Sequence, residues 1–299
     1  MKFLAYFGHL NIDIVLKTKK INFLGSSSID SVNDVFGGTA GNFAIVASRL
    51  GVPFDLFSSV SRETHSGYLQ YLSNCGINIE HITISEGTRG PVCYIVSDGV
   101  NQQYFMHQGP MENWDPNKNG SFMGDYRYVH FSTGPLENFV KLKTGKDTTI
   151  TLDPGQEVSF RYQPDLLKEA IERSGILIVN SHESEVVMKL LGISRESFWN
   201  LRKTIIVTSG SNGVDYSYMG KRYHQDSVKA IKPLDSIGAG DAFRAGFYFG
   251  LWNNKNFHES IFLGQVAASR AVETGITNFD LTSDVLLNKL PEAPEFVDR

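Results

Sequence analysis

The chain has 299 residues, a length that suits one α/β unit with an added subdomain, and its 41% hydrophobic content can build a sizeable core. A net charge of −4 and a pI near 6.1, with no basic block, argue against nucleic acid or an acidic membrane surface as partner. The two cysteines, Cys75 and Cys93, lack metal-ligand spacing and cannot form a disulfide framework, so a reducing, cytoplasmic compartment is expected.

The first run, Met1-Lys2-Phe3-Leu4-Ala5-Tyr6, reads as a short strand that breaks at Gly8, too short for a signal peptide or a membrane span. After it, apolar runs alternate with helical patterns. Strands are expected over 3–8, 54–60, 128–132, 148–152, 176–180 and 205–208. Helices are expected over 39–50, 65–75, 164–174, 182–191, 239–252, 257–274 and 283–290. Continuous buried strands alternating with helices imply a doubly wound, mostly parallel sheet with helices on both faces. No repeat or low-complexity linker interrupts the chain, so a single domain over 1–299 is expected.

Two stretches break that rhythm. Residues of about 12–36 and 78–110 read as extended and turn-rich, without room for crossover helices. Ile82-Thr-Ile-Ser, Pro91-Val-Cys-Tyr-Ile-Val and Gln103-Tyr-Phe-Met-His suit a small separate sheet. Such a sheet is expected to fold over the carboxyl ends of the parallel strands, where these folds bind ligands. It would be marginal alone, with open edges, and gains by covering a neighbour.

The chemistry gathers late in the chain, at Asp235-Ser236-Ile237-Gly238-Ala239-Gly240-Asp241. Two glycines one residue apart leave the backbone bare just before a helix. A small-residue turn feeding a helix start aims unpaired N–H groups and the positive end of the helix dipole at one spot, a hole suited to phosphate. Asp241 beside that hole can receive the proton of an attacking hydroxyl. A helix cap with Gly for the turn is the plainer alternative.

This heptapeptide, followed by Ala-Phe-Arg-Ala-Gly, resembles the C-terminal signature of the ribokinase-like (PfkB) carbohydrate and nucleoside kinases, with Ser236 where Thr is usual. The resemblance covers nearly the whole chain. It implies a small β-sheet lid, ATP as donor, Mg²⁺, and in many relatives K⁺ held near the positions of Asp235 and Ile237. It also implies that Asp241 is the base and that Gly238, Ala239 and Gly240 stabilise the transferring phosphoryl group. Relatives often pair through their lids, so a homodimer is expected.

Other stretches take meaning from the same resemblance. Gly37-Gly38-Thr39-Ala40-Gly41-Asn42 is similar to the family's N-terminal glycine-rich signature, with Gly38 and Asn42 expected at sugar hydroxyls. Asp13 looks like the family's diol carboxylate. Asn180-Ser-His-Glu183 matches the Asn-x-x-Glu motif that orders Mg²⁺, its waters and the phosphates; an Asn cap with a first-turn Glu is the alternative. Thr208-Ser209-Gly210-Ser-Asn-Gly213 resembles the nucleotide loop, and the helix over 257–274 would wall the adenine.

Absences matter too: there is no Gly-x-x-x-x-Gly-Lys-Ser/Thr, no zinc spacing and no nucleophile elbow. Gly238-Ala-Gly-Asp-Ala-Phe also lacks the third glycine of a dinucleotide turn.

For the acceptor, Leu152-Asp153-Pro154-Gly155-Gln156 and Gln103-Tyr-Phe-Met-His-Gln108-Gly109 look like stretches of archaeal broad-specificity nucleoside kinases. Gln108 is expected at a base edge or the sugar, Tyr104 or Phe105 against the base, and Arg161 at a phosphate or base or simply exposed. Arg89 leaves a sugar-phosphate acceptor open. The resulting expectation is an ATP-dependent kinase acting on the 5′-hydroxyl of nucleosides. A sugar kinase is the alternative within the class, and a silent nucleotide-binding protein on the same fold is the alternative outside it.

Overall fold

The computed structural model describes residues 1–22, 24–117, 125–292 and 297–298; residue 23, within the stretch expected to build the small sheet, lies outside them. The chain opens with β1 (Lys2–Phe7), whose last five residues are buried, then β2 (Asn11–Lys17) and β3 (Ser31–Gly37). Helix α1 (Thr39–Arg49), β4 (Asp55–Ser61), α2 (Arg62–Asn74) and β5 (Ile82–Ser85) follow, and then the hairpin β6 (Val92–Ser97) and β7 (Gln102–His107). The middle of the chain is β8 (Tyr126–Phe131), α3 (Leu136–Phe139), β9 (Thr149–Leu152), α4 (Pro164–Arg173), β10 (Ile176–Asn180), α5 (Ser181–Leu191) and α6 (Arg195–Trp199). It closes with β11 (Thr204–Thr208), β12 (Val214–Tyr218), β13 (Lys221–Gln225), α7 (Ala239–Trp252), α8 (Phe257–Thr274), α9 (Ser283–Leu287) and β14 (Val297–Asp298).

The large sheet has the order β14-β13-β12-β11-β10-β9-β8-β1-β4-β5, and every pairing from β11 through β5 is parallel. Its central strands are apolar without alternation because helices cover both faces. On one face Phe43, Leu72, Phe247 and Leu263 pack from α1, α2, α7 and α8; on the other Phe139, Leu167, Val187 and Phe198 pack from α3, α4, α5 and α6. Helices α7 and α8 meet backbone to backbone. A methyl on Gly246 would come within 2.5 Å of the Leu263 carbonyl oxygen.

The chain runs from β1 to β4 on one side and later returns to β8 on the other, so the strand order reverses around β1. A reversal of this kind opens a crevice at the carboxyl ends of the strands, where α/β sheets bind ligands. The small sheet stands over this rim in the order β3-β2-β6-β7. Its register puts Asp13 beside Val35 and Cys93, and Val15 beside Asn33 and Ile95, with Tyr104 next along. Ile14, Tyr94 and Phe105 therefore face the other way.

One expectation is corrected here. Ile82-Thr-Ile-Ser was assigned to the small sheet, yet β5 pairs parallel with β4 from Ser58↔Ile82 to Ser61↔Ser85 and forms an edge of the large sheet. Its cover falls away along the strand: Ile82 is buried, while Ile84, on the same face, is 38% exposed. The antiparallel β12–β13 hairpin was not anticipated, although Met219-Gly220 supplies its turn, both with positive φ.

Candidate active site

Helix α7 starts at the reversal point. Gly238 is its N-cap, left-handed at φ 76. The Ala239 N–H is taken by the Ser236 carbonyl at 3.2 Å, which closes the turn and leaves the amides of Gly240 and Asp241 as first-turn donors with no helical acceptor. Asp241 is buried, and its carboxyl is pushed up to about 7, chiefly by burial; Arg244 and the hydrogen bond from Asn42 pull the other way.

Two motifs far apart in sequence meet there: Asn42 Nδ2 donates to Asp241 Oδ2 at 2.9 Å across 199 positions. The loop after β1 makes this possible. Gly38, the N-cap of α1 at φ 85, lies under that loop, and a Cβ on it would sit 2.5 Å from the His9 carbonyl oxygen. Asp13 stands at the root of the small sheet, with its carboxyl also raised to about 7 by burial and then by the charge of Asp241. Asp13 and Asn42 border one cleft of about 680 Å³, which also touches Val15, Val35, Ile95 and Ile237.

Gln108 and Arg161 converge on Glu157, which is 1% exposed. Gln108 Nε2 donates to Glu157 Oε1 at 2.8 Å and Arg161 Nη1 to the same oxygen at 2.9 Å, while Arg161 Nη2 donates to the Glu112 carbonyl at 2.8 Å. The other face of the Gln108 amide, its oxygen, meets His9 Nε2, and His9 Nδ1 lies 2.9 Å from Thr133 Oγ1. Arg161 is thus tied into the wall rather than standing free in solvent. Arg89 stacks on Tyr94, on the outer face of the small sheet.

The nucleotide-motif residues share one rim. Asn180 and Thr208 are register partners at the ends of β10 and β11. Asn180 caps α5: its side chain accepts the Glu183 N–H at 2.8 Å, and Glu183 Oε2 accepts the Asn180 N–H at 2.8 Å. That capping box is the plainer of the two sequence readings. Glu183, however, is buried, and its carboxyl is raised to about 7 by burial and then by Asp153. Past β11, Ser209 N–H donates to the Gly213 carbonyl at 2.8 Å, closing a loop in which Gly210 has φ 54 and Gly213 φ 85. Asp235 Oδ1 accepts the Ile237 N–H at 2.9 Å at the entrance to the α7 turn. Among the described residues, no group of three or more His, Cys, Asp or Glu is placed to hold a metal ion.

Sequence reasoning did not assign roles to Arg244, Asp153, His130 or Glu157. The signal for Arg244 was an arginine one turn after Asp241 in an otherwise apolar helix, since buried arginines need partners. It pairs with Asp241 at 3.2 Å and with Asp153, which is 0% exposed and lies 3.4 Å from His130 Nε2.

The comparisons with known proteins agree with this geometry. Residues 1–284 match the model of the pfkB family carbohydrate kinases. A nucleoside kinase of Thermoplasma acidophilum is 41% identical over 286 residues, 96% of this chain and 95% of that protein. The crystal structure of the Methanocaldococcus jannaschii nucleoside kinase, an archaeal member of the ribokinase family, superposes with a TM-score of 0.86 at 30% identity, covering 98% of this chain and 99% of that one. The chain belongs to the pfkB family. It is a kinase of the ribokinase type that uses ATP, a phosphotransferase acting on hydroxyl groups.

Proposed function

We propose that this kinase transfers the γ-phosphoryl group of ATP to the 5′-hydroxyl of nucleosides, with broad tolerance of the base. The observation that carries this reading is the cleft between Asp13 and the apolar face of the small sheet. About 680 Å³ suits a nucleoside and leaves a lone pentose underfilled. The names of the two archaeal relatives support it.

The ribose diol donates two hydrogen bonds to Asp13, with Gly38 and Asn42 alongside, which fixes the 5′-oxygen toward α7. As that oxygen bonds to the γ-phosphorus, its proton passes to Asp241 and the bond to ADP breaks. A base whose carboxyl titrates near 7 suits this transfer at neutral pH. Gly238, Ala239 and Gly240 shape the turn whose first amides face the developing charge. Asn180, Thr208, Ser209, Gly210 and Gly213 hold the donor. Mg²⁺ fits beside Asn180 and Glu183, because a buried carboxyl raised to about 7 regains its charge next to a divalent cation; when bound it neutralises phosphate charge. The Asp235 and Ile237 turn would hold a K⁺ ion, which would order the α7 entrance.

Tyr104 lies on the Asp13 face of the small sheet and Phe105 on the opposite one, so Tyr104 is the stacking candidate. We assign Gln108 and Arg161, tied through Glu157, to a polar wall toward the base. The outer face carries Ile14, Leu16, Tyr94, Val96 and Phe105, with Val32 59% and Phe105 55% exposed. We assign this face to a homodimer contact, and light scattering reads the mass. Cys75 and Cys93 are free thiols, in keeping with a reducing cytoplasm, and among the described residues no helix is long and apolar enough to cross a membrane.

Purified protein given ATP, Mg²⁺ and inosine tests the reading. ADP and inosine 5′-monophosphate should form together; phosphorylation of a sugar but of no nucleoside overturns the acceptor, and nucleoside binding with no ADP release overturns the activity.

A further inference from the structure

Arg244 lies one turn along α7 from Asp241, among the buried residues Ala242, Phe243, Ala245 and Phe247. A guanidinium in such surroundings is costly unless fully partnered. Its Nη1 donates to Asp241 Oδ1 at 3.2 Å and its Nε pairs with Asp153. Asp153 is 0% exposed at the end of β9, with His130 Nε2 at 3.4 Å; His130 Nδ1 in turn lies 3.0 Å from the Tyr248 hydroxyl. The other Asp241 oxygen is taken by Asn42. Gly240 leaves room for this arrangement, because a Cβ there would stand 2.8 Å from Arg244 Nη1.

We infer that Arg244 is a positioning residue for phosphoryl transfer: anchored by Asp153, its guanidinium fixes the Asp241 carboxylate and keeps it in the charge state that accepts the acceptor's proton. This rests on the reading of Asp241 as the base. Asp241 is faced by Asn42 from α1, Asp13 from β2, Asp153 from the loop just past β9, Glu183 from α5, Tyr6 from β1 and Tyr68 from α2, besides Arg244 on its own helix. Of these groups only Arg244 is a cation. It is the stronger of the two fixed charges, Arg244 and Asp153, that act in opposite directions on Asp241. Burial opposes the charges of both Arg244 and Asp153, yet their mutual attraction raises the one and lowers the other, so the pair stays ionised.

The test is the pH dependence of kcat at saturating ATP and inosine, over about pH 5.5 to 9, where the complex rather than the free enzyme is read. Arg244→Gln should lower kcat about 10- to 100-fold near neutrality and move the acid limb up by about one unit, with partial recovery at high pH. Arg244→Lys keeps the charge but not the two-armed grip, so its limb should stay near wild type while kcat falls. Asp153→Asn removes an anion from the neighbourhood of Asp241, so its limb should move down.

If Arg244→Gln fails to fold with Asp153 left unpaired, the double variant Arg244→Gln, Asp153→Asn removes both charges and should still move the limb up. A folded Arg244→Gln variant, or the folded double variant, that loses activity equally at every pH with the limb in place overturns the inference. Asp241→Asn separates the two levels: high activity there defeats the base assignment, whereas an inactive Asp241→Asn with an unmoved Arg244→Gln limb defeats only the role of Arg244.

Discussion

The floor of the site and the small sheet above it divide the work in opposite ways. On the floor, polar groups are held from several sides: Asp241 by Asn42 and Arg244, Arg244 by Asp153, and, away from α7, Glu157 by Gln108 and Arg161. On the inner face of the small sheet, Val15, Val35, Ile95 and Tyr104 offer area instead of direction. Tyr104 is 48% exposed, and its hydroxyl is turned to its neighbour Gln102 at 2.6 Å. Phosphoryl transfer needs charge placed to within a fraction of an ångström, whereas a flat base needs only a surface to lie on. The difference teaches that, in the proposed reading, the chemistry is preorganised and base selection is permissive.

Breaking the floor should have the largest effect. Asp241→Asn should slow turnover by about 10²-fold or more while leaving the fold and acceptor binding nearly intact, as single-turnover kinetics and calorimetry can read. Near wild-type turnover in a folded variant would remove Asp241 from its role.

Asp13 sits where the two regions join, and its substitution should have a divided effect. Asp13→Asn should raise KM for nucleosides about 10-fold or more, because charge-assisted hydrogen bonds to the diol are each worth about 1.5–3 kcal/mol. The same change should stabilise the free protein, in a pH-dependent way. The folded carboxyl titrates near 7 instead of 3.8, so between those values the native state binds the extra proton and stability falls as pH rises. Melting curves should therefore coincide near pH 4, and the variant should be clearly the more stable protein at pH 8. A gain at low pH instead would reverse the assigned sign.

Breaking the small-sheet face should have the smallest effect and be selective. Tyr104→Ala should lower kcat/KM for nucleosides about 5- to 10-fold and leave any activity on free ribose unchanged. Equal losses on both acceptors would show that Tyr104 supports the sheet and not the base.

The same contrast explains what could be read before the fold was known. The doubly wound, mostly parallel character of the large sheet follows from buried apolar runs alternating with helical patterns, and Gly-Ala-Gly-Asp marks its own place because backbone amides and a carboxylate are encoded locally. Ile82–Ser85 was misplaced because an alternating tetrapeptide fits the covered edge of either sheet. Arg244 and Asp153 appeared in the quoted motifs, yet their pairing joins α7 to the loop just past β9, and periodicity carries nothing about such long-range partners. Glu157 reads as an ordinary surface acid in a turn; only the fold brings Gln108, Arg161 and Tyr162 around it. For the small sheet, register decided between Tyr104 and Phe105, and a one-residue shift would have reversed that choice.

The most direct measurement is a competition panel at fixed ATP and Mg²⁺, comparing kcat/KM for inosine, guanosine, adenosine, cytidine, a deoxynucleoside, ribose, fructose and a sugar phosphate. The account predicts ribonucleosides well above free sugars, little spread among bases, and the deoxynucleoside poorer because one lone pair of the half-buried Asp13 carboxylate loses its donor. Ribose, fructose or a sugar phosphate outperforming every nucleoside would contradict it.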